Sequence, residues 1–333
     1  MRRKQVPPLS CAVVGLGRIG STLEEDPLRE KPASHCGAIA ANPDCLLVAG
    51  CDLKEQARRT FSARWGCAAA YEDCGRMLSE RHPDILHIAT AARTHAELVR
   101  LAARNGVSLV ICEKPLTLDG AEARRLLRLC ARAGTVLMVN HERRYSLDYR
   151  HARGRIEEGL YGDLLSITAK LYSGRNKRAR DILWHDGTHM VDALRYLTGR
   201  ELSGAQSFGD PDSRSRPFLA AFKAGPVRVA LETCGGHESF LFELDLMFAA
   251  GRIRIGNGLY EEYRCEPSPF YSGFRSLMRV PGICFPKTEY FKGLLQDAVA
   301  VLRNPGRVPT SRGSDGCKAV ETIERLLSRA SGR

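Results

Sequence analysis

The segment Cys11-Ala12-Val13-Val14-Gly15-Leu16-Gly17-Arg18-Ile19-Gly20 constrains the fold of this chain more than any other stretch. An apolar run of strand length leads straight into glycines spaced G-x-G-x-x-G. In such a turn Gly15 permits the tight bend and Gly17 lets the backbone approach a pyrophosphate. Gly20 allows close contact between the strand and the following helix. The turn functions only inside a strand–helix–strand unit, so strands and helices should alternate downstream.

They do. A helical stretch around Cys36 to Ala41 is followed by the strand Leu46 to Cys51, which ends in Asp52. Ile85-Leu86-His87-Ile88-Ala89 precedes a helix from about Thr94 to Asn105. Val107 to Cys112 precedes a helix from Asp119 to Ala133, and Val136 to Val139 ends at Asn140-His141. Strands alternating with helices of about a dozen residues predict a doubly wound parallel sheet of the α/β class. Beyond residue 150 the rhythm changes. Helices are expected near 151–159 and 187–198. Strand-like runs at 164–172, 218–222, 227–233, 240–248 and 252–255 predict an open, mainly antiparallel sheet in an α+β domain. Helices return at 290–303 and 315–329. A chain of 333 residues suits two domains, 8–145 and 146–333, and the last helices can pack back on the first.

Composition narrows the function. No apolar stretch approaches the roughly 20 residues of a membrane helix. The start, Met1-Arg2-Arg3-Lys4, is basic but leads to Pro7-Pro8 rather than to the apolar core of a signal peptide, so the chain reads as cytoplasmic. The formal charge is +12, yet the arginines are scattered among glutamates with no aromatic-basic stripe, which argues against a nucleic-acid partner. The one dense run, 175–180, is a solvated loop or steers an anionic substrate. Twelve cysteines form no C-x-x-C pair, and several lie in strand patterns. Free thiols and no structural zinc are expected.

Asp52, at the end of the second strand, is placed to accept from the adenosine ribose hydroxyls and to repel a 2′-phosphate. NAD is therefore favoured over NADP, although Arg58 and Arg59 follow. The glycine turn and the acid are further apart than usual. The excess is Ser21 to Ser34, polar with Pro27 and Pro32, either a surface excursion or a flap over cofactor or substrate. Downstream, Glu113-Lys114-Pro115 closes a buried strand. A lysine at that edge of a parallel sheet points into the crevice where such sheets bind ligands, and the proline restricts its backbone.

Two more clusters complete a constellation: Asn140-His141-Glu142-Arg143-Arg144-Tyr145, and His185-Asp186-Gly187-Thr188-His189 leading into a helix that carries Asp192. Together with the glycine turn, Glu113-Lys114-Pro115 and the tail Ser314 to Ala319, they make the chain resemble the glucose–fructose oxidoreductase / inositol dehydrogenase / MocA family over nearly its whole length. The resemblance implies a Rossmann domain plus an open-sheet domain that often serves oligomerisation, here a homo-dimer or tetramer. It also implies NAD(P)-linked oxidation or reduction of sugars, cyclitols or nucleotide sugars. Lys114 takes the place of the family's lysine and His189 that of its catalytic histidine. A histidine suits removal of a hydroxyl proton, and a nearby ammonium stabilises the alkoxide.

Gly15, Gly17, Arg18, Ile19, Gly20, Asp52, Thr90, His95, Glu113 and Lys114 are then the cofactor-binding candidates, and Asn140, Arg143, Arg144 and His185 the substrate-binding ones. The chain departs from the family where an aspartate usually stands four residues before the histidine. Here that residue is His185, with Asp186 one place later, so either Asp186 has slipped into the role or His185 shares in proton transfer. His185 and His189 could share a helix face as metal ligands, but hydride chemistry needs none and no metal is expected. The leading expectation is an NAD-dependent dehydrogenase acting on a secondary alcohol of a sugar-like small molecule, neutral or anionic. Hydrolysis or elimination by transient sugar oxidation, and non-catalytic nucleotide sensing, are the alternatives.

Overall fold

The computed structural model describes residues 6–174 and 176–330, with backbone only at 329 and 330; Met1 to Lys4 and Arg175 of the basic run fall outside it. The chain divides into two compact units, one built from residues up to 145 plus 289–318, the other from 146–288 plus the residues after 318.

The first unit opens with β1 (Leu9–Val14), α1 (His35–Ala40), β2 (Cys45–Cys51), α2 (Glu55–Trp65), β3 (Ala70–Tyr71) and α3 (Cys74–Arg81). It continues with β4 (Ile85–Ile88), α4 (Ala92–Arg104), β5 (Leu109–Cys112), α5 (Gly120–Ala133) and β6 (Val136–Val139). The six strands pair in parallel in the order β3-β2-β1-β4-β5-β6. The order reverses between β1 and β4, the switch point at which doubly wound sheets leave a crevice. Strands β4 and β5 are buried at every residue, which explains their unbroken apolar sequence.

Alternate residues feed two cores. Ala12, Val14, Leu86, Ile88 and Val110 pack with Val99 of α4 and Leu126 of α5. Cys11, Val13, Ile85, Leu109 and Ile111 face Ile39 of α1, Phe61 of α2 and three residues from the far end of the chain, Phe291, Leu294 and Leu295. Side-chain caps set the helix starts. Ser34 accepts from the Gly37 amide, Asp73 from Arg76 and Asp119 from Glu122.

The second unit contains α6 (Leu147–Glu157), β7 (Leu164–Tyr172), α7 (Ala179–Ile182), a π-turn at Leu183–Gly187, and α8 (Thr188–Thr198). The strands β8 (Ser203–Phe208), β9 (Phe218–Ala224), β10 (Val227–Cys234), β11 (Leu241–Phe248), β12 (Gly251–Gly256), β13 (Leu259–Pro267) and β14 (Arg275–Arg279) follow. The eight-stranded order is β14-β13-β12-β11-β7-β10-β9-β8, antiparallel except between β7 and β10. One face carries Ile167, Leu171, Val229, Leu231 and Leu244, packed against Leu194 and Leu197 of α8. The other is laced by cross-strand ion pairs, Arg252 with Asp245 and Arg254 with Glu243 and Glu261.

The chain ends with α9 (Tyr290–Arg303), which covers the first sheet, and α10 (Gly313–Ala330). The first turns of α10 belong to the first unit and the remainder to the second, where Ile323 and Leu326 join the core. Helices α2 and α3 and strands β3, β8, β13 and β14 have no counterpart in the sequence reading. Only Phe61 is buried along α2, and β8 is a bulged edge strand of polar composition. All twelve cysteines are free thiols. No helix among the described residues is long and apolar enough to cross a membrane.

Candidate active site

The glycine turn caps β1, and each glycine has a distinct steric setting. Gly15 has φ +89°, and a Cβ there would lie 2.5 Å from the Ala89 carbonyl oxygen beyond β4. A Cβ on Gly20 would lie 1.9 Å from the Gly15 carbonyl oxygen. Both are therefore required by the protein's own packing. Gly17 is different. It is exposed, and no protein atom lies within 4 Å of where its Cβ would be. The space left open beside Gly17 fits a dinucleotide's pyrophosphate, and the exposed Arg18 and half-buried Ile19 border it.

Asp52 braces this turn. Its Oδ2 accepts from the Leu16 amide at 2.8 Å, and Oδ1 accepts from the Lys54 amide at 2.9 Å. Arg58 donates to the backbone carbonyls of Asp52 and Leu53 at 2.8 and 2.9 Å and pairs with Glu72 at 3.3 Å. Thr90 accepts from the Thr94 hydroxyl at 2.8 Å. His95 is fully buried, its ring nitrogens 3.0 Å from the Thr90 carbonyl and 2.8 Å from that of Pro115. It therefore bears on the cofactor side of the sheet through the backbone it holds.

The segment 21–34 is a folded insertion. Glu24 Oε1 accepts from the amides of Ala33 and Ser34 and from the Ser34 hydroxyl, at 2.6, 2.8 and 3.0 Å. Lys31 donates to the carbonyls of Leu23 and Asp26, and Trp65 donates to Ser21. Where the insertion ends, the amides of His35 and Cys36 donate to the carbonyls of Ile19 and Gly20 at 3.0 and 2.9 Å. The helix expected directly after the glycines thus resumes beyond the excursion.

Lys114 stands half-buried at the end of β5, next to a buried Glu113. Glu113 Oε1 accepts from the Asn140 amide at 2.6 Å and lies 3.0 Å from Nε2 of His35. His35 Nδ1 lies 2.9 Å from Nδ1 of His87, which is in the middle of β4. Burial alone would raise the Glu113 carboxyl. The His35 bond and charge, the Asn140 bond and the Lys114 charge outweigh it and hold the group below the usual carboxylate range. Burial, reinforced by His35, pushes His87 well below the ordinary histidine value. His35 and His87 were not among the candidates read from sequence. The available signal was a histidine inside the apolar strand Ile85 to Ala89, since a buried imidazole requires a partner.

Of the cluster after β6, Asn140 is committed to Glu113, and its Oδ1 has no partner. Arg143 is buried against Glu142 at 3.3 Å. Burial, with the Glu113 charge behind it, holds the Glu142 carboxyl above the usual carboxylate range against the pull of Arg143, Lys114 and Arg29 of the insertion. Arg144 donates to the Thr310 carbonyl at 2.9 Å and pairs with Asp315 at 3.2 Å. These bonds tie the end of β6 to the start of α10.

In the second unit the π-turn Leu183–Gly187 runs directly into α8; such turns often mark functional positions. His189 and Asp192 are buried. The His185 side chain is 73% exposed and that of Asp186 only 15%, with His185 Nδ1 2.9 Å from Asp186 Oδ1. Asp186 thus shares the buried character of His189 and His185 does not. In the basic run, Arg178 pairs with Asp181 at 2.8 Å and Arg180 with Asp212 at 2.9 Å, so these two charges are balanced locally. No group of three acidic, histidine or cysteine side chains among the described residues could hold a metal ion.

Residues 9–141 match the family described as "Oxidoreductase family, NAD-binding Rossmann fold". D-apiose dehydrogenase of Paraburkholderia graminis is 33% identical over 46% of this chain and 43% of its own. Myo-inositol 2-dehydrogenase of Thermotoga maritima is 28% identical over 58% of this chain and 56% of its own. The chain thus spans about half the length of these curated relatives. In fold it is similar to the WlbA dehydrogenase from Bordetella pertussis, solved in complex with NADH and UDP-GlcNAcA. That structure has a TM-score of 0.75 and 18% identity, over 98% of this chain and 97% of its own. Residues 9–141, which carry the glycine turn and the Glu113-Lys114-Pro115 strand end, thus match the NAD-binding Rossmann domain of that oxidoreductase family, and the chain is similar to relatives named inositol 2-dehydrogenase and MocA.

Proposed function

We propose that this protein is an NAD-dependent oxidoreductase that transfers a hydride between nicotinamide and a secondary alcohol of a sugar, cyclitol or nucleotide sugar. One juxtaposition carries the reading. The open turn at Gly17 and the amine-bearing strand end at Lys114 lie on the same edge of one parallel sheet, with only β4 between their strands. Two inter-strand spacings amount to roughly 10 Å, the span a bound dinucleotide must bridge between its pyrophosphate and its reactive ring. The names of the relatives, dehydrogenases of apiose and myo-inositol, support the substrate class. The WlbA complex supports a nicotinamide cofactor and extends the class to nucleotide sugars.

NAD bound along Gly15 to Gly20 supplies the hydride acceptor. The residues do the rest. His189 removes the proton from the substrate hydroxyl, with Asp186 as its acidic neighbour, and the Lys114 ammonium stabilises negative charge developing on that oxygen. Asp52 selects the ribose with free hydroxyls, Thr90 and Glu113 line the cofactor side, and Arg143 with Asn140 orients the substrate. Self-association as a dimer or tetramer through the ion-paired face of the eight-stranded sheet completes the reading. It is checked by light scattering of the purified protein. Mass spectrometry of ligands released from native protein, followed by NADH production across a polyol, sugar and nucleotide-sugar panel, tests the activity. Tightly bound NAD with no net NADH on any substrate would sink the dehydrogenase reading.

A further inference from the structure

Three buried polar side chains of the first unit form a hydrogen-bonded chain, of which the proposed chemistry uses only the Glu113 end. His87, His35 and Glu113 are 1%, 0% and 6% exposed. Ionised Glu113 can only accept, so His35 donates to it from Nε2. The Nδ1 atoms of His35 and His87 share one proton between them, and His87 Nε2 is left in the core as the one nitrogen of the pair without a partner. The His35 ring is held edge-on by His87 at 5.1 Å and by Phe291 of α9 at 5.3 Å between centroids. It cannot swing aside without opening the core.

His35 is also the first residue after the insertion. Its backbone is fixed by the Ile19 carbonyl, and Ser34 before it is fixed by Glu24. The insertion therefore determines where the ring stands, the ring determines where Glu113 stands, and Glu113 adjoins Lys114. We propose that His35 is a positioning residue for Lys114, acting through Glu113, and that segment 21–34 serves as its fixed mount rather than as a moving flap. The consequence for turnover rests on the catalytic reading of Lys114 above.

The test compares His35→Leu, which cannot donate, with His35→Gln, whose amide can donate to Glu113. His35→Asn, polar but too short, serves where the leucine variant does not fold. Amide hydrogen exchange needs no substrate. Exchange across residues 112–117 is expected to accelerate at least about tenfold in His35→Leu, to return toward wild type in His35→Gln, and to be unchanged in β1. With NAD+ and myo-inositol as probes, His35→Leu is expected to lower kcat about tenfold and leave KM and NAD+ affinity within about twofold. In a Glu113→Gln background the same change should cost under about twofold, because its route is already cut.

Wild-type exchange at 112–117 in His35→Leu, or kcat losses that simply multiply with those of Glu113→Gln, would overturn the proposal. Lys114→Met separates the two readings. Full turnover in that variant removes the catalytic role of Lys114 and leaves the exchange result to decide the positioning. An inactive Lys114→Met beside a fully active His35→Leu removes the positioning role alone.

Discussion

The amide of His35 donates to the carbonyl of Ile19 at 3.0 Å, although the whole of segment 20–34 lies between them. With the Cys36 amide bonded to the Gly20 carbonyl at 2.9 Å, the start of α1 is joined directly to the glycine turn and the loop is set aside. Glu24 closes that loop with three hydrogen bonds to one carboxylate oxygen. Glu24→Ala should leave the Ala33 and Ser34 amides without their acceptor and lower stability by about 1–3 kcal/mol. Urea unfolding at neutral pH measures this. A wild-type midpoint and slope would mean that the loop is held by other contacts.

Lys114→Met keeps the length and apolar stem of the side chain and removes its charge. Under the proposed chemistry kcat falls by about 10²- to 10³-fold, in line with the loss of one charge-stabilising group. NAD+ affinity, measured by fluorescence titration, should stay within a few-fold of wild type, because the pyrophosphate end is bound at Gly15 to Gly20.

Asp52→Asn separates charge from scaffolding. The amide oxygen can still accept from Leu16 or from Lys54, but not from both as the carboxylate does. With the charge gone and Arg58 alongside, NADP+ should gain on NAD+ by about tenfold in the ratio of dissociation constants, or ~1.4 kcal/mol. An unchanged ratio would mean that discrimination lies elsewhere in the adenosine pocket.

Acid should act on the buried histidine before it acts on the carboxylate. His87 titrates in the folded protein well below its ordinary 6.5, so below that pH the unfolded chain binds a proton that the folded chain does not. Stability contributed by neutral His87 is therefore lost progressively as pH falls below 6.5, with a slope of about 1.4 kcal/mol per pH unit. Glu113 is also shifted down, but its contribution is complete above the carboxylate range and disappears only in stronger acid. Between pH 7 and 5, then, His87→Leu should flatten the dependence of unfolding free energy on pH, while Glu113→Gln should not. Urea titrations at pH 5, 6 and 7 distinguish the two.

Local signals made much of the first unit legible. The strand before Gly15, the acid ending β2 and the strand-closing Glu113-Lys114-Pro115 all announce themselves within a few residues, because burial on both faces forces unbroken apolar runs. Partnerships across the sheet were not legible. Nothing near His35 in sequence points to Glu113, and nothing near Arg144 points to Asp315, since each pair is made by tertiary packing alone. The insertion was readable as polar and proline-bearing, but its splice into α1 rests on hydrogen bonds that skip the entire loop. In the second unit, β8 and β14 escaped notice because edge strands need little apolar surface. The ambiguity between His185 and Asp186 also needed coordinates, which show one exposed and the other mostly covered.

Helix α10 begins in one unit and ends in the other, and α9 lays Phe291, Leu294 and Leu295 on the sheet started by β1. During synthesis, that sheet must therefore wait with part of one flank, the part not covered by α1 and α2, open until almost the whole chain has left the ribosome. The glycine turn is made early, but the layer that seals its sheet is made last. A nascent chain stalled anywhere before residue 290 would display an unfinished apolar face, a natural mark for chaperones and proteases.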